Sequence, residues 1–147
     1  MNDPEVIAAM LSSTPITPQT IAVVGLSANP ARPSFYVSEY MQQHGFRILP
    51  VNPALDFVLG EKTYASLADL PVRPDIVNVF RLPTVIPSIV DEMLALGLKK
   101  LWVQQGIVNL EAAAVAERGG IQVVMDRCIM VEHRRLALAG PPNAKSL

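Results

Sequence analysis

Continuous apolar runs alternate along the chain with stretches whose apolar residues recur every three or four positions. The continuous runs are apolar on both faces, which is typical of strands buried in a parallel sheet. Their alternation with helical stretches predicts the α/β fold class, a single Rossmann-like, doubly wound parallel sheet of about five strands with flanking helices. The predicted strands are Thr20–Gly25, Phe46–Val51, Asp75–Phe80, Lys100–Gln104 and Ile121–Met125.

The helical stretches carry recognisable start and stop residues. A short amphipathic helix is predicted from Val6, Ile7, Met10 and Leu11. The segment 57–71 favours a loop or edge strand followed by one helical turn. The other helices are predicted from an N-cap at Ser34 to Gly45, from Thr84 to Gly97 with Pro87 in the first turn, from an N-cap at Asn109 to Gly119, and from Asp126 to a frayed end beyond Gly140.

Length, composition and charge exclude several classes of protein for this chain. The chain has 147 residues, half of them apolar, and a net charge of −1 with interspersed signs. This length favours a single domain (1–147), with a helix and lead-in over 1–19 and a flexible tail over 137–147. Dispersed charge excludes a nucleic-acid surface, and the single cysteine excludes disulfide frameworks and cysteine zinc clusters. An acidic N-terminus and the lack of long apolar runs predict a cytoplasmic protein that does not bind membranes.

Four segments follow predicted strands and should meet at one edge of the sheet, where such folds bind ligands. In the first, Gly25 allows a tight turn, and the hydroxyls of Ser27 and Ser34 lie near the start of a helix. Backbone amides there, together with the planar cation of Arg32, favour a phosphate group. The alternative is a solvent-facing loop with an ordinary helix cap.

The second segment argues against ordinary NAD binding. An acidic residue is expected about 20 residues after the glycine loop, where it binds the ribose hydroxyls. The chain instead has Val51, Asn52 and Pro53 at this position. A rim without an acid is better suited to a ligand that carries a phosphate on its ribose.

The third and fourth segments contain further candidate ligand contacts. Phe80 can pack against an adenine or an alkyl arm and Arg81 can bind a phosphate, although a core phenylalanine beside a solvated arginine explains the pair equally well. Gln104 and Gln105 offer amides, and Gly106 lets a ligand press on the backbone.

These segments, in this order, resemble the CoA-binding domain. That domain occurs as a free-standing bacterial protein and at the N-terminus of succinyl-CoA synthetase alpha subunits. The residues that carry the resemblance span Thr20 to Leu136. They are VVGLSANPARPSFYV, GFRILPVNP, DIVNVFR, LWVQQGIVN and VVMDRCIMVEH.

The resemblance implies that coenzyme A, or an acyl-CoA, lies across the strand ends. Its phosphates would meet the loop 25–34, its nucleotide would lie near 50–53, and its pantetheine arm would pass Phe80, Arg81 and Gln105. The 3′-phosphate of CoA agrees with the missing acid, which would repel it. Because the chain lacks the ligase domain that carries a phosphorylated histidine, we expect a binding module without catalysis of its own, acting as carrier, sensor or subunit.

Cys128 lies where the resemblance places the end of the pantetheine arm. It can form a mixed disulfide with CoA or accept an acyl group; the alternative is an unreactive buried cysteine. Two other functions stay open: a small NAD(P)-dependent oxidoreductase or thiol-dependent acyl transferase, and an interaction domain with a vestigial nucleotide site. A homodimer or an unknown protein partner also stays open, because the sequence shows no interface.

Overall fold

A five-stranded parallel sheet forms the centre of the protein, as seen in a computed structural model that describes residues 1–13 and 16–139. The strand order is β2-β1-β5-β6-β7. Each strand lies within a predicted stretch, so the predicted fold class is confirmed. The strands are β1 (Thr20–Val24), β2 (Arg47–Val51), β5 (Ile76–Val79), β6 (Lys100–Val103) and β7 (Gln122–Met125).

Helices cover both faces of this sheet. They are α1 (Pro4–Met10), α2 (Pro33–Gln43), α3 (Ile86–Leu96), α4 (Leu110–Arg118) and α5 (Ile129–Ala139). Alternate strand residues point to opposite faces, so the sheet separates two apolar clusters. One cluster joins the sheet to α3 and α4, and the other joins it to α1, α2 and α5. No helix within the described residues is both long and apolar enough to cross a membrane.

Two predicted helix ends are confirmed by their capping contacts. The Asn109 side chain accepts a hydrogen bond from the Ala112 N–H at 3.0 Å, as expected of an N-cap. Gly97 ends α3 in the left-handed conformation, with φ +70°. The predicted fraying beyond Gly140 lies outside the described residues.

Three predicted helix starts were wrong. Helix α5 begins at Ile129 rather than Asp126, which has a left-handed φ of +61°. Arg32, not Ser34, occupies the N-cap position of α2, because Pro33 takes the first helical position and Ser34 turns back to the preceding loop. The helix α3 begins at Ile86 rather than Thr84, after a 3₁₀ turn over Pro83–Val85. Since Pro87 has no N–H to donate to the Pro83 carbonyl, that carbonyl accepts from Ile86 instead.

The segment 57–71 contains the edge strand and helical turn that were predicted. Strands β3 (Phe57–Val58) and β4 (Glu61–Lys62) form a small antiparallel pair apart from the main sheet, and a 3₁₀ turn follows at Leu67–Asp69. Tyr64 then binds the free edge of β2, where its N–H donates to the Pro50 carbonyl at 3.0 Å. Pro50 is tolerated in β2 because this strand lies at the edge of the main sheet.

A ring cluster joins α2 to α5 on the outside of the sheet. The Tyr40 hydroxyl and His133 Nδ1 lie 2.8 Å apart in a hydrogen bond. His44 stacks on Tyr40 with ring centroids 4.0 Å apart, and its ring lies 5.2 Å from that of His133. The guanidinium of Arg134 lies over the Tyr40 ring, with its Cζ 5.0 Å from the ring centroid. The ring of His133 therefore packs against Tyr40 and His44.

Acid should destabilise the protein through this cluster. Burial, and then the charge of His44, hold the pKa of His133 below its usual 6.5. The unfolded chain therefore binds the proton more readily, so the free energy of unfolding should decrease as pH falls through 6.5. Urea unfolding at about pH 7.5 and pH 5.5 measures this loss. His133→Phe keeps a ring but cannot titrate, and should lose less stability; an equal loss in both proteins would contradict the assignment.

Candidate ligand-binding site

A cavity of about 830 Å³ opens at the carboxyl ends of β1, β5 and β6. The chain leaves β1 for β2 on one side, while β5 pairs with β1 on the other, so the cavity lies at the switch point of the sheet. The first turns of α2 and α5 form its outer wall. A volume of this size is typical of small-molecule and cofactor sites.

Most of the residues predicted from the strand ends line this one cavity. Those that do are Gly25, Ser27, Arg32, Ser34, Phe80, Arg81, Gln105, Gly106 and Cys128. Val51, Asn52 and Pro53 do not belong to its lining. The first, third and fourth segments thus line the cavity together with the start of α5, whereas the second segment does not line it.

Gly25 lets the first loop lie directly on the backbone of the third. Its φ is +89°, and a Cβ built on it would lie 2.7 Å from the Phe80 carbonyl oxygen and 2.8 Å from Arg81 Cδ. Its N–H donates to the Val51 carbonyl at 3.0 Å. The ends of three neighbouring strands therefore meet at a residue that has to be glycine.

Two consecutive hydrogen bonds stabilise the loop between β1 and α2. The Ser34 hydroxyl accepts from the Ser27 N–H at 2.9 Å, and the Ser27 hydroxyl accepts from the Asn29 N–H at 3.0 Å. Both hydroxyls accept in these bonds, so their hydrogens stay available to donate to a ligand. Arg32, at the start of α2, and Arg81, after β5, are exposed cations on the rim. This wall of the cavity is suited to anionic oxygens.

Asn52 forms a hydrogen bond with the first loop and does not line the cavity. Its Nδ2 donates to the Leu26 carbonyl at 3.0 Å, and its Oδ1 accepts from the Ala54 N–H at 2.9 Å. Both ends of the amide are therefore occupied within the protein. Asn52 acts as a positioning residue for the loop that follows Gly25.

The fourth segment joins the sheet to the turn before α5. The Gly106 N–H donates to Asp126 Oδ1 at 2.7 Å, with Gly106 at φ +86° and Asp126 at φ +61°. The Asp126 carboxylate thus binds the neighbouring loop. This contact fixes the loop 104–107 beside Cys128.

Gln104 is the buried polar residue of the cavity wall. Only 4% of its surface is exposed, and its Oε1 accepts from the Ile129 N–H at 3.1 Å. Its Nε2 is buried and has no acceptor among the described residues. A buried donor without a partner is costly.

Sequence reasoning missed the apolar wall that α2 and α5 contribute. Tyr36, Val37, Met130 and Val131 line the cavity, and Tyr36 keeps 43% of its surface exposed. Val37 is also a core residue, with 2% of its surface exposed. Their place in the first two turns after a candidate binding loop was the one signal that could have identified them.

A parallel sheet flanked by helices, with a cavity at its switch point, places the protein in the Rossmann-like fold class. The family described as CoA binding domain matches residues 19–134. The chain therefore belongs to the CoA binding domain family, and the resemblance noted in its sequence is confirmed.

Similar proteins include both free-standing and much longer chains. An uncharacterized protein, YneT of Bacillus subtilis (strain 168), is 46% identical over 113 residues, which are 77% of this chain and 84% of YneT. The structure of cell-free ID.343 from Thermus thermophilus is 40% identical, with a TM-score of 0.82, and the match covers 90% of this chain and 98% of that one. Acetate--CoA ligase [ADP-forming] II of Archaeoglobus fulgidus is 32% identical over 84 residues, which are 56% of this chain and 12% of the ligase.

Proposed function

We propose that this protein binds coenzyme A or an acyl-CoA in the cavity at the switch point, and acts as a carrier, sensor or subunit without catalysis of its own. The observation that carries the proposal is the arrangement of the lining. Arg32 and Arg81 stand on the two loops that cross at Gly25, while apolar side chains of α2 and α5 line the outer wall. CoA combines the same properties, since it has charged phosphates at one end and a long uncharged arm.

The lining suggests how the ligand lies. The phosphates are proposed to meet Arg32, Arg81 and the hydroxyl of Ser27. The pantetheine arm then passes Phe80 and Gln105 and ends near Cys128. The nucleotide contacts that the resemblance implies for Val51, Asn52 and Pro53 stay a prediction; these residues lie outside the cavity lining.

The proposal does not include the ligase reaction. The chain spans 12% of the length of the Archaeoglobus ligase, and the name of that enzyme describes a much longer protein. Within the cavity, no Asp or Glu belongs to the lining. The described cavity therefore offers no carboxylate as an acid or base, which supports binding over catalysis.

Arg32 should distinguish CoA from dephospho-CoA. If its guanidinium meets the 3′-phosphate, Arg32→Ala should weaken CoA binding about tenfold and dephospho-CoA binding much less, because a hydrogen bond to a charged group contributes about 1.5 kcal/mol or more. Calorimetric titration of both proteins with both ligands measures the difference.

Arg47 offers a matched control for this experiment. It is an exposed arginine at the amino end of β2, and therefore at the edge of the sheet opposite the cavity. Arg47→Ala removes the same charge and should bind both ligands as the wild type does. Equal losses for CoA and dephospho-CoA in Arg32→Ala would refute the 3′-phosphate contact, and wild-type protein that fails to bind CoA would refute the proposed function.

A further inference from the structure

Cys128 lies where two cavities meet. It directly precedes α5, is half-buried, and lines the large cavity. It also lines a second cavity of about 370 Å³, which charged side chains of Arg127, Glu132 and Arg135 border. Glu132 and Arg135 pair with each other at 3.1 Å. Cys128 therefore borders both cavities.

Gln104 gives a second and independent sign that a ligand reaches this point. Its Oε1 is held by the N–H of Ile129, the residue after Cys128, and its Nε2 is buried without an acceptor. Gln104 lines the large cavity together with Cys128. The carbonyl oxygens of the pantetheine amides are acceptors of the kind that this donor lacks.

We infer that Cys128 exchanges with CoA disulfide, so that the protein holds CoA as a mixed disulfide; this rests on the proposed function. The Cys128 sulfur attacks the sulfur of the CoA half that lies in the large cavity. A bond forms between these two sulfurs, and the bond between the two CoA sulfurs breaks. The leaving CoA sulfur takes the proton that Cys128 gives up. Cys128 and the bound CoA end as one disulfide, and one CoA is released as the thiol.

The second cavity supplies room for the outgoing half. Exchange requires the leaving sulfur on the far side of the sulfur that is attacked, so a closed pocket around Cys128 would prevent it. The second cavity shares Cys128 and Gln105 with the first. Its polar walls are suited to the amide-rich arm of the departing CoA.

Intact-mass spectrometry of the full chain with CoA disulfide at neutral pH tests the inference. Cys128 is the only cysteine, so any reducible adduct is assigned without ambiguity. We expect one CoA adduct per chain, reversed by dithiothreitol, and none in Cys128→Ser. With glutathione disulfide, which lacks the nucleotide, the adduct should form at least about tenfold more slowly. Equal rates for the two disulfides, or no CoA adduct, would overturn the inference.

Two variants of Gln104 test the part played by its free donor. Gln104→Glu keeps an oxygen for the Ile129 N–H but loses the donor, and Gln104→Met loses both. The measured quantity is the rate of adduct formation with CoA disulfide divided by the rate with glutathione disulfide. Each variant should lower this ratio about fivefold or more. A change in the reactivity of the thiol itself affects both rates and therefore leaves the ratio unchanged. A ratio that falls only in Gln104→Met would show that Gln104 acts through the helix start, and would overturn the contact with the ligand.

Calorimetry with reduced CoA in the presence of a reductant separates the two proposals. CoA binding without any adduct from CoA disulfide would refute the exchange and leave the proposed function standing. Failure of reduced CoA to bind would refute the proposed function itself.

Discussion

Gly25→Ala should lower the free energy of unfolding by about 3 kcal/mol and weaken CoA binding at least tenfold. The left-handed conformation at φ +89° costs a residue with a Cβ about 1 kcal/mol. The larger part comes from the contact of that Cβ with the Phe80 carbonyl oxygen at 2.7 Å, since a backbone atom cannot move without moving the end of β5. Urea unfolding followed by Trp102 fluorescence measures the loss, because Trp102 is the only tryptophan and is fully buried.

Gly45→Ala is the matched control for this variant. Gly45 has nearly the same backbone conformation, φ +92°, but no atom lies within 4 Å of a Cβ built there. The substitution should therefore cost only the conformational part, about 1 kcal/mol, and should leave CoA binding unchanged. Similar losses of stability in the two variants would contradict the close approach of the first and third loops.

Trp102→Phe should cost about 2 to 3 kcal/mol of stability and also weaken CoA binding. The Trp102 side chain is completely buried in β6, and its Nε1 donates to the Arg127 carbonyl at 2.8 Å. Phenylalanine leaves a cavity and removes the donor, so the carbonyl that immediately precedes Cys128 loses its partner. Urea unfolding followed by circular dichroism measures the stability, since the variant has no tryptophan.

Ile76→Val separates loss of core volume from loss of this tether. Ile76 is fully buried in the same apolar cluster as Trp102. Removing one methyl group there should cost about 1 kcal/mol and leave the CoA affinity unchanged. If both variants weaken CoA binding equally, the hydrogen bond of Trp102 does not position the turn before Cys128.

The strands were predictable because their signal is local. A strand buried on both faces is mostly apolar along its length, and three of the four residues of Ile76–Val79 and of Gln122–Met125 are apolar, a pattern visible without knowledge of any neighbour. The αL stop at Gly97 and the cap at Asn109 are equally local. Most of the candidate site followed from the same strands, because their carboxyl ends share one edge.

The remaining features depend on contacts between distant residues. Tyr40 and His133 are 93 positions apart in sequence, and no periodicity indicates that they share a hydrogen bond. The side-chain amide of Asn52 bonds to Leu26 and Ala54, and no pattern in the sequence indicates its bond to Leu26. Helix α3 begins at Ile86 and not at the predicted Thr84, because Pro87 lacks the N–H that a first helical turn at Thr84 requires. In each case the structure depends on one hydrogen-bond donor or acceptor, and its partner can be identified only once the fold is known.

Calorimetric titration of the full chain with CoA, NAD and NADP in parallel tests the central claim most directly. Family membership, the absence of a ribose-binding acid after β2, and two arginines at the switch point all favour CoA. We expect CoA to bind with a dissociation constant on the order of micromolar, and NAD not to bind. NAD binding without CoA binding would contradict the account.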